Sequence, residues 1–237
     1  MLNGVDHYRI GMGCMSLTGK KVLITSGGTL EKWDLVRGHT NLAKGTMGCH
    51  LAEEALSSGA EVIYLHGYFA GLPQNHDRMR VVSFEGIQDL SNKIEQLVRN
   101  EPIHSVIMAA AVSDWVVDKI VGADGEICSE MGKISSDNPP VIHFKKAPKV
   151  ITEIKSWNPS LILVGFKLEH NADYHYLMDR SRQRMDMWRA DYVVANTSGS
   201  LYSDQAAHYI VSKDGSVQSC TRKSETAQAI IRILENR

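Results

Sequence analysis

Short apolar runs alternate along this chain with longer segments whose apolar residues recur every three or four positions, and few architectures accommodate that alternation. The runs at Lys21–Thr25, Glu61–Leu65, Arg80–Ser83, Ser105–Ala109, Leu161–Gly165, Tyr192–Ala195 and His208–Val211 read as strands. Between them, Met47, Leu51, Ala55 and Leu56 make one helical stripe, and Ile87, Leu90, Ile94 and Leu97 make another. Ala172–Arg189 reads as a long polar helix, while Thr226, Ile230, Ile231 and Leu234 give the last helix an apolar face. The pattern predicts a Rossmann-like three-layer α/β/α fold whose helices cover a predominantly parallel central sheet.

At 237 residues and 43% hydrophobic content the chain can bury a full core, and one domain is expected over residues 20–237. The first nineteen residues carry no apolar run long enough for a signal sequence or a membrane span. They are expected to be a mobile leader without chemistry, and Met15 is a rival start. Lys and Arg number 26 against 27 for Asp and Glu, so no global field attracts nucleic acid or an anionic membrane. Any anion site must be local. Cys14, Cys49, Cys128 and Cys220 form no CxxC pair, and the ten histidines form no HExxH. No protein-bound metal is expected, and a soluble, cytoplasmic protein is.

Val116 to Pro140 follows neither period and holds Gly122, Gly125, Gly132 and the Pro139–Pro140 pair. A connection of that length in a compact domain tends to be functional or mobile. It reads as an active-site flap or an arm reaching a partner subunit.

Two glycine-rich turns follow the first strand. Thr25-Ser26-Gly27-Gly28-Thr29 places glycines where backbone amides can approach a ligand, although a plain tight turn also explains them. Gly45 and Gly48 stand directly before the first helical stripe, where exposed amides suit a phosphate and Lys44 adds charge; an ordinary helix start is the alternative. GxGxxG, GxxxxGK[ST] and GxSxG are all missing, so the usual dinucleotide, P-loop and hydrolase assignments lose support.

Read together, the run SGGTLEKWDLVRGHTNLAKGTMG resembles the opening motif of the phosphopantothenate–cysteine ligases. Ala109-Ala110-Ala111-Val112-Ser113-Asp114 is similar to that family's second motif. Lys133-Ile134-Ser135-Ser136, Phe144 to Lys149, Gly165 to Glu169 and Val193 to Asn196 resemble the rest, in the same order. The similarity covers Lys21 to Arg237.

The resemblance implies ligation of 4'-phosphopantothenate to L-cysteine in coenzyme A biosynthesis, with a nucleoside triphosphate forming an acyl-nucleotide intermediate. It implies that Asn41 orients the acyl carboxylate, a helix cap being its plainer role. Ala110, Ala111 and Asp114 would line the phosphopantothenate site. Arg37 would reach a phosphate across a homodimer with composite sites, where the alternative is a surface ion pair. Gly27, Gly45, Gly48, Phe166 and Asn196 would hold the nucleotide, and Lys133 would neutralise its phosphates; Phe166 is equally placed to be simple core. Mg2+ would accompany the triphosphate, held by phosphate oxygens and water.

The chain departs from the pattern at Ala43-Lys44, where many relatives carry serines, and at Arg182, Arg184, Met187 and Trp188, where others carry lysines. Both CTP-using and ATP-using relatives share its wording, with CTP slightly favoured. Two rival readings remain, a non-catalytic Rossmann-like nucleotide-binding protein and a nicotinamide-dependent oxidoreductase.

Overall fold

In a computed structural model, which describes residues 16–128, 134, 137 and 139–237, eight strands form one sheet. In chain order the elements are β1 (Lys21–Ser26), β2 (Leu30–Lys32), β3 (Gly38–Thr40), α1 (Thr46–Ser57), β4 (Glu61–Gly67), β5 (Arg80–Phe84) and α2 (Ile87–Asn100). There follow β6 (Ile103–Met108), β7 (Trp115–Val121), β8 (Val141–Lys146), α3 (Val150–Trp157) and β9 (Ile162–Glu169). The chain continues through α4 (Tyr174–Trp188), β10 (Tyr192–Thr197), β11 (Gln205–Ser212), β12 (Val217–Arg222) and α5 (Lys223–Glu235). The sheet order is β12-β11-β10-β9-β6-β1-β4-β5. From β5 through β10 every neighbouring pair is parallel; β11 and β12 add an antiparallel edge.

Alternation within each strand divides the core between two faces. Leu23, Ile63, Leu65, Val106 and Val193 pack beneath α2, α3 and α4, against Leu90, Ile94, Ile154 and Leu177. Val22, Ile24, Tyr64, Ile107 and Val194 face α1 and α5, against Leu51, Ala55, Ile230 and Leu234. Both sides of a central strand are thereby apolar, as a helix-covered parallel sheet requires. Leu90 is fully buried, so Leu90→Ala would cost about 2–5 kcal/mol through lost contacts and a cavity.

α4 begins where the Asp173 carboxylate accepts the Tyr176 amide at 2.9 Å and ends where Arg189 turns left-handed at φ 52°. Its Trp188 ring lies over Gly165, where a Cβ would stand only 2.8 Å from the indole. Leu17, within the stretch expected to be a leader, is fully buried, and its amide donates to Ser58 O at 3.0 Å.

The stretch Val116–Pro140 departs from the irregular connection expected of it. Its first part belongs to β7, which pairs antiparallel with β8 as a separate two-stranded ribbon. Only Ile120 is buried along these two strands, so no in-and-out alternation exists for a pattern reading to detect. β12, with Cys220 alone buried, and the eight-residue α3 escape the pattern for related reasons.

Candidate active site

β1 lies inside the sheet with β4 on one side and β6 on the other. The connections from β1 and β6 therefore leave in opposite directions, which opens a crevice at the carboxyl ends of these strands. Gly27 and Gly28 line one wall and Ala109 to Ser113 the other. Ala111 N–H donates to Gly27 O at 2.8 Å, and Ala110 N–H donates to the buried Thr25 hydroxyl at 3.1 Å. Ser113 N–H donates to Thr29 Oγ1 at 3.1 Å, so buried threonines fix both walls.

The amino end of α1 points into this crevice. Its first residue follows Gly45, which is left-handed at φ 80° and supplies no side-chain cap. The first amides of the helix therefore lack the usual side-chain partner, an arrangement suited to an anion. Close approach makes this possible. A Cβ on Gly45 would stand 2.6 Å from Ser26 Oγ, and one on Gly48 would stand 2.5 Å from Ser26 Cβ. The Ser26 hydroxyl donates to Gly45 O at 3.1 Å and stitches the helix start to the strand end.

Gly27, Gly45, Gly48, Ala110, Ala111, Phe166 and Asn196, which sequence reasoning selected, line one hollow there with Lys44. Phe166 is half-buried and also touches the α1–α5 core face, so the core and lining readings both describe it. Asn41 stands exposed beside this hollow, and its Nδ2 donates to Ala111 O at 3.0 Å. Arg37 and Asp114 do not line it. Arg37 pairs with Asp34 at 3.6 Å, and Asp114 pairs with Lys149. Lys133 lies outside the described residues.

Asp34 organises the turn that carries Arg37. Its Oδ1 accepts the Val36 and Arg37 amides, each at 2.7 Å, and its Oδ2 accepts the Ile134 amide at 3.1 Å. Those bonds, Val36's foremost and the Arg37 charge least, hold its carboxyl below the ordinary range against the opposing effect of desolvation. His39 joins the β2–β3 hairpin to the β6 wall: Trp33 Nε1–H donates to its Nδ1 at 3.2 Å, which leaves Nε2 3.2 Å from both Ser113 Oγ and Trp115 O. Where Cys49 of α1 meets Tyr64 of β4, with Sγ and the phenol oxygen 3.4 Å apart, desolvation pushes both the thiol and the phenol above their usual ranges.

Sequence reasoning missed Thr46, Ser200, His208 and Lys223 in the same hollow. Lys223 opens α5 and lies 177 residues from Thr46, so only the closed fold brings the two together. The Asn196 motif held a signal for His208, its direct partner in the β10–β11 register. Burial pushes the His208 imidazole below its ordinary range, against a backbone hydrogen bond at Ala206 and with the Lys223 charge adding to the fall. Among the described residues no group of three or more His, Cys, Asp or Glu side chains could hold a metal ion, and no helix is long and apolar enough to cross a membrane.

Residues 17–236 match the family described as the DNA/pantothenate metabolism flavoprotein C-terminal domain. The chain belongs to this family. It is 32% identical over 199 residues to the coenzyme A biosynthesis bifunctional protein CoaBC of Thermococcus kodakarensis, covering 84% of this chain and 46% of that protein. The chain spans about half the length of the curated relatives it matches first. The DNA/pantothenate metabolism flavoprotein from Streptococcus pneumoniae superposes with a TM-score of 0.82 at 28% identity, covering 92% of this chain and 99% of that one. A Cab2 variant in complex with phosphopantothenate-cysteine shares the fold, with a TM-score of 0.71 at 19% identity over 92% of this chain and 86% of its own. Within this DNA/pantothenate metabolism flavoprotein domain, the crevice between β1 and β6 is where the family resemblance and the open helix start coincide.

Proposed function

We propose that this domain ligates 4'-phosphopantothenate to L-cysteine, as a phosphopantothenate–cysteine ligase of coenzyme A biosynthesis. The observation that carries the reading is the shared hollow: an uncapped helix start, Gly27, Gly45 and Gly48, and the Ala110–Ala111 wall meet there, and Asn41 is bonded to that wall. The names of its relatives, bifunctional proteins of coenzyme A biosynthesis, and the phosphopantothenate-cysteine bound to Cab2 support the same substrates.

In the proposed reaction the 4'-phosphopantothenate carboxylate attacks the α-phosphate of the nucleotide, forming a mixed anhydride and releasing pyrophosphate. The cysteine amine then attacks the acyl carbon, forming the amide and expelling the nucleoside monophosphate. Two anions must meet in the first step, so fixed positive charge and oriented amides matter more than a covalent protein nucleophile. The free amides of α1 and Lys44 would hold the phosphates, and Phe166 and Asn196 the nucleoside. The Asn41 amide, held through Nδ2, would present Oδ1 and its remaining proton to the acyl group. Lys133 would add a second cation. Magnesium would travel with the triphosphate, held by phosphate oxygens and water. CTP is favoured slightly over ATP.

The proposed active unit is a cytoplasmic homodimer in which Arg37 serves the neighbouring subunit's substrate. Leu35, Val36, Trp115, Ile127, Val141 and Phe144 are all exposed on the β2–β3 turn and the β7–β8 ribbon, an apolar surface that supports such an interface.

One assay tests the reading. The protein is incubated with 4'-phosphopantothenate, cysteine, magnesium and either CTP or ATP, while pyrophosphate and the thiol product are followed. Pyrophosphate that appears only with all three substrates or with 4'-phosphopantothenate and nucleotide is the expected result. Nucleotide binding without product would leave a non-catalytic binding protein, and neither would reject the site.

A further inference from the structure

Lys223 is a cation taken almost wholly out of water, with its side chain 7% exposed at the inner wall of the hollow. Its ammonium donates to Thr46 Oγ1 at 3.0 Å, and the nearest carboxylate, Asp204, is 3.6 Å away with 74% of its side chain exposed. An ammonium has three protons, and a solvated carboxylate compensates a buried charge weakly. Thr46 is the first residue of α1, so the spare charge stands beside the uncapped helix start.

The wall next to Lys223 is short of partners in another way. Asn196 and His208, adjacent across the β10–β11 register, are 9% and 1% exposed. Asn196 Nδ2 donates to Ser200 Oγ at 2.5 Å, but Asn196 Oδ1 and His208 Nδ1 are buried with no partner. Buried polar atoms are rarely left so, and both belong to residues lining the hollow. A ligand that completes this wall must offer an anion to Lys223 and hydrogen-bonding groups to Asn196 and His208. A hydroxyl serves the last two best, because it donates and accepts and so suits either tautomer of the imidazole. Nucleoside phosphates carry both features, whereas inorganic polyphosphate carries only the first.

We propose that Lys223 is a phosphate-binding residue of the nucleotide site and that Asn196 Oδ1 and His208 Nδ1 form an adjoining subsite for the sugar hydroxyls of a nucleoside triphosphate. This deepens the ligase reading and rests on it only for the identity of the reaction.

The test is calorimetric titration of inorganic tripolyphosphate, CTP and ATP, with magnesium, into the parent and two variants. Lys223→Gln drops the charge but keeps a polar donor facing Thr46, so it is less prone to misfold than Lys223→Met; melting curves check the fold. It should bind all three ligands at least about tenfold more weakly, the loss of one charge-assisted bond to phosphate. His208→Phe keeps the bulk and should weaken CTP and ATP while leaving tripolyphosphate unchanged. Parental tripolyphosphate affinity in Lys223→Gln, or no tripolyphosphate binding by the parent, would overturn the phosphate role. Equal losses for all three ligands in His208→Phe would overturn the division into subsites. Ligation with an unchanged KM for nucleotide in Lys223→Gln would sink this inference and leave the ligase reading standing. Expected binding without ligation by the parent would do the reverse.

Discussion

The Asn41 side chain donates through Nδ2 to the carbonyl oxygen of Ala111 across 3.0 Å, joining residues 70 positions apart at the mouth of the β1–β6 crevice. This bond sets which way the amide points. One N–H is spent on the Ala111 carbonyl, and the other N–H and Oδ1 remain for a ligand. Asn41→Asp removes the donor, sets a carboxylate against that carbonyl, and adds negative charge where an anionic substrate must come. Product formation should fall about 10²–10³-fold, the scale of losing one oriented donor. Because Asn41 is exposed, the melting temperature should change little. Pyrophosphate release and a melting curve check both halves; a parental rate in the variant would remove Asn41 from the reaction.

Gly48 makes a prediction about packing. A Cβ there would stand 2.5 Å from Ser26 Cβ, a contact that backbone adjustment must relieve. Gly48→Ala should destabilise the protein by about 1–3 kcal/mol, as overpacking does, and push α1 away from the strand end. Adding Ser26→Ala should not restore stability, because the obstructing Cβ stays; adding Ser26→Gly should. Urea midpoints of the three variants decide this. Rescue by Ser26→Ala would mean that the hydroxyl, not the Cβ, sets the spacing.

Much of the sheet, and several of the residues that line the candidate hollow beside β1, are legible in the sequence. The alternation of runs located seven strands of the main sheet because a helix-covered strand must be apolar on both faces, as Val22, Leu23 and Ile24 are. Glycines at Gly27, Gly45 and Gly48 stood out because nothing else repeats so closely after one strand. Lys223 did not, since a lysine at the start of a surface helix looks like any solvated charge until α5 folds against α1. The ribbon of β7 and β8 was illegible for the opposite reason: with nearly every residue exposed, it has no buried face to impose a period.

The buried imidazole of His208 links pH to stability. Burial outweighs an opposing backbone hydrogen bond at Ala206 and, with the nearby Lys223 charge adding, lowers its pKa from the ordinary 6.5, so the folded chain refuses a proton that the unfolded chain accepts. Its penalty is absent well above 6.5, begins as pH falls through that unfolded value, and grows until the lower folded pKa is reached. His208→Gln lacks this titration. Between pH 7.5 and pH 5.5 the urea midpoint of the parent should therefore decline more steeply than that of the variant, on the linkage argument at about these pH values. Parallel declines would show that His208 is protonated equally in both states.

Arg37 lies four positions before Asn41, but its guanidinium stands 3.6 Å from the Asp34 carboxylate. Arg37 does not line the hollow of its own chain. The exposed Leu35 and Val36 beside it, and Trp115 and Phe144 on the ribbon, form apolar surface that a second copy would cover. If two-fold symmetry carries Arg37 into the partner's site, each site needs Arg37 from one chain and Asn41 from the other. Arg37→Ala and Asn41→Asp homodimers should each be nearly inactive. When they are mixed and allowed to exchange, about half the dimers are heterodimers, and each has one site with both residues intact, so about a quarter of parental activity should return. Pyrophosphate release measures the recovery, and native mass spectrometry verifies the exchange. Exchange without recovery would confine Arg37 to its own chain's site or remove it from catalysis, and a monomeric parent that remains fully active would end the composite-site proposal.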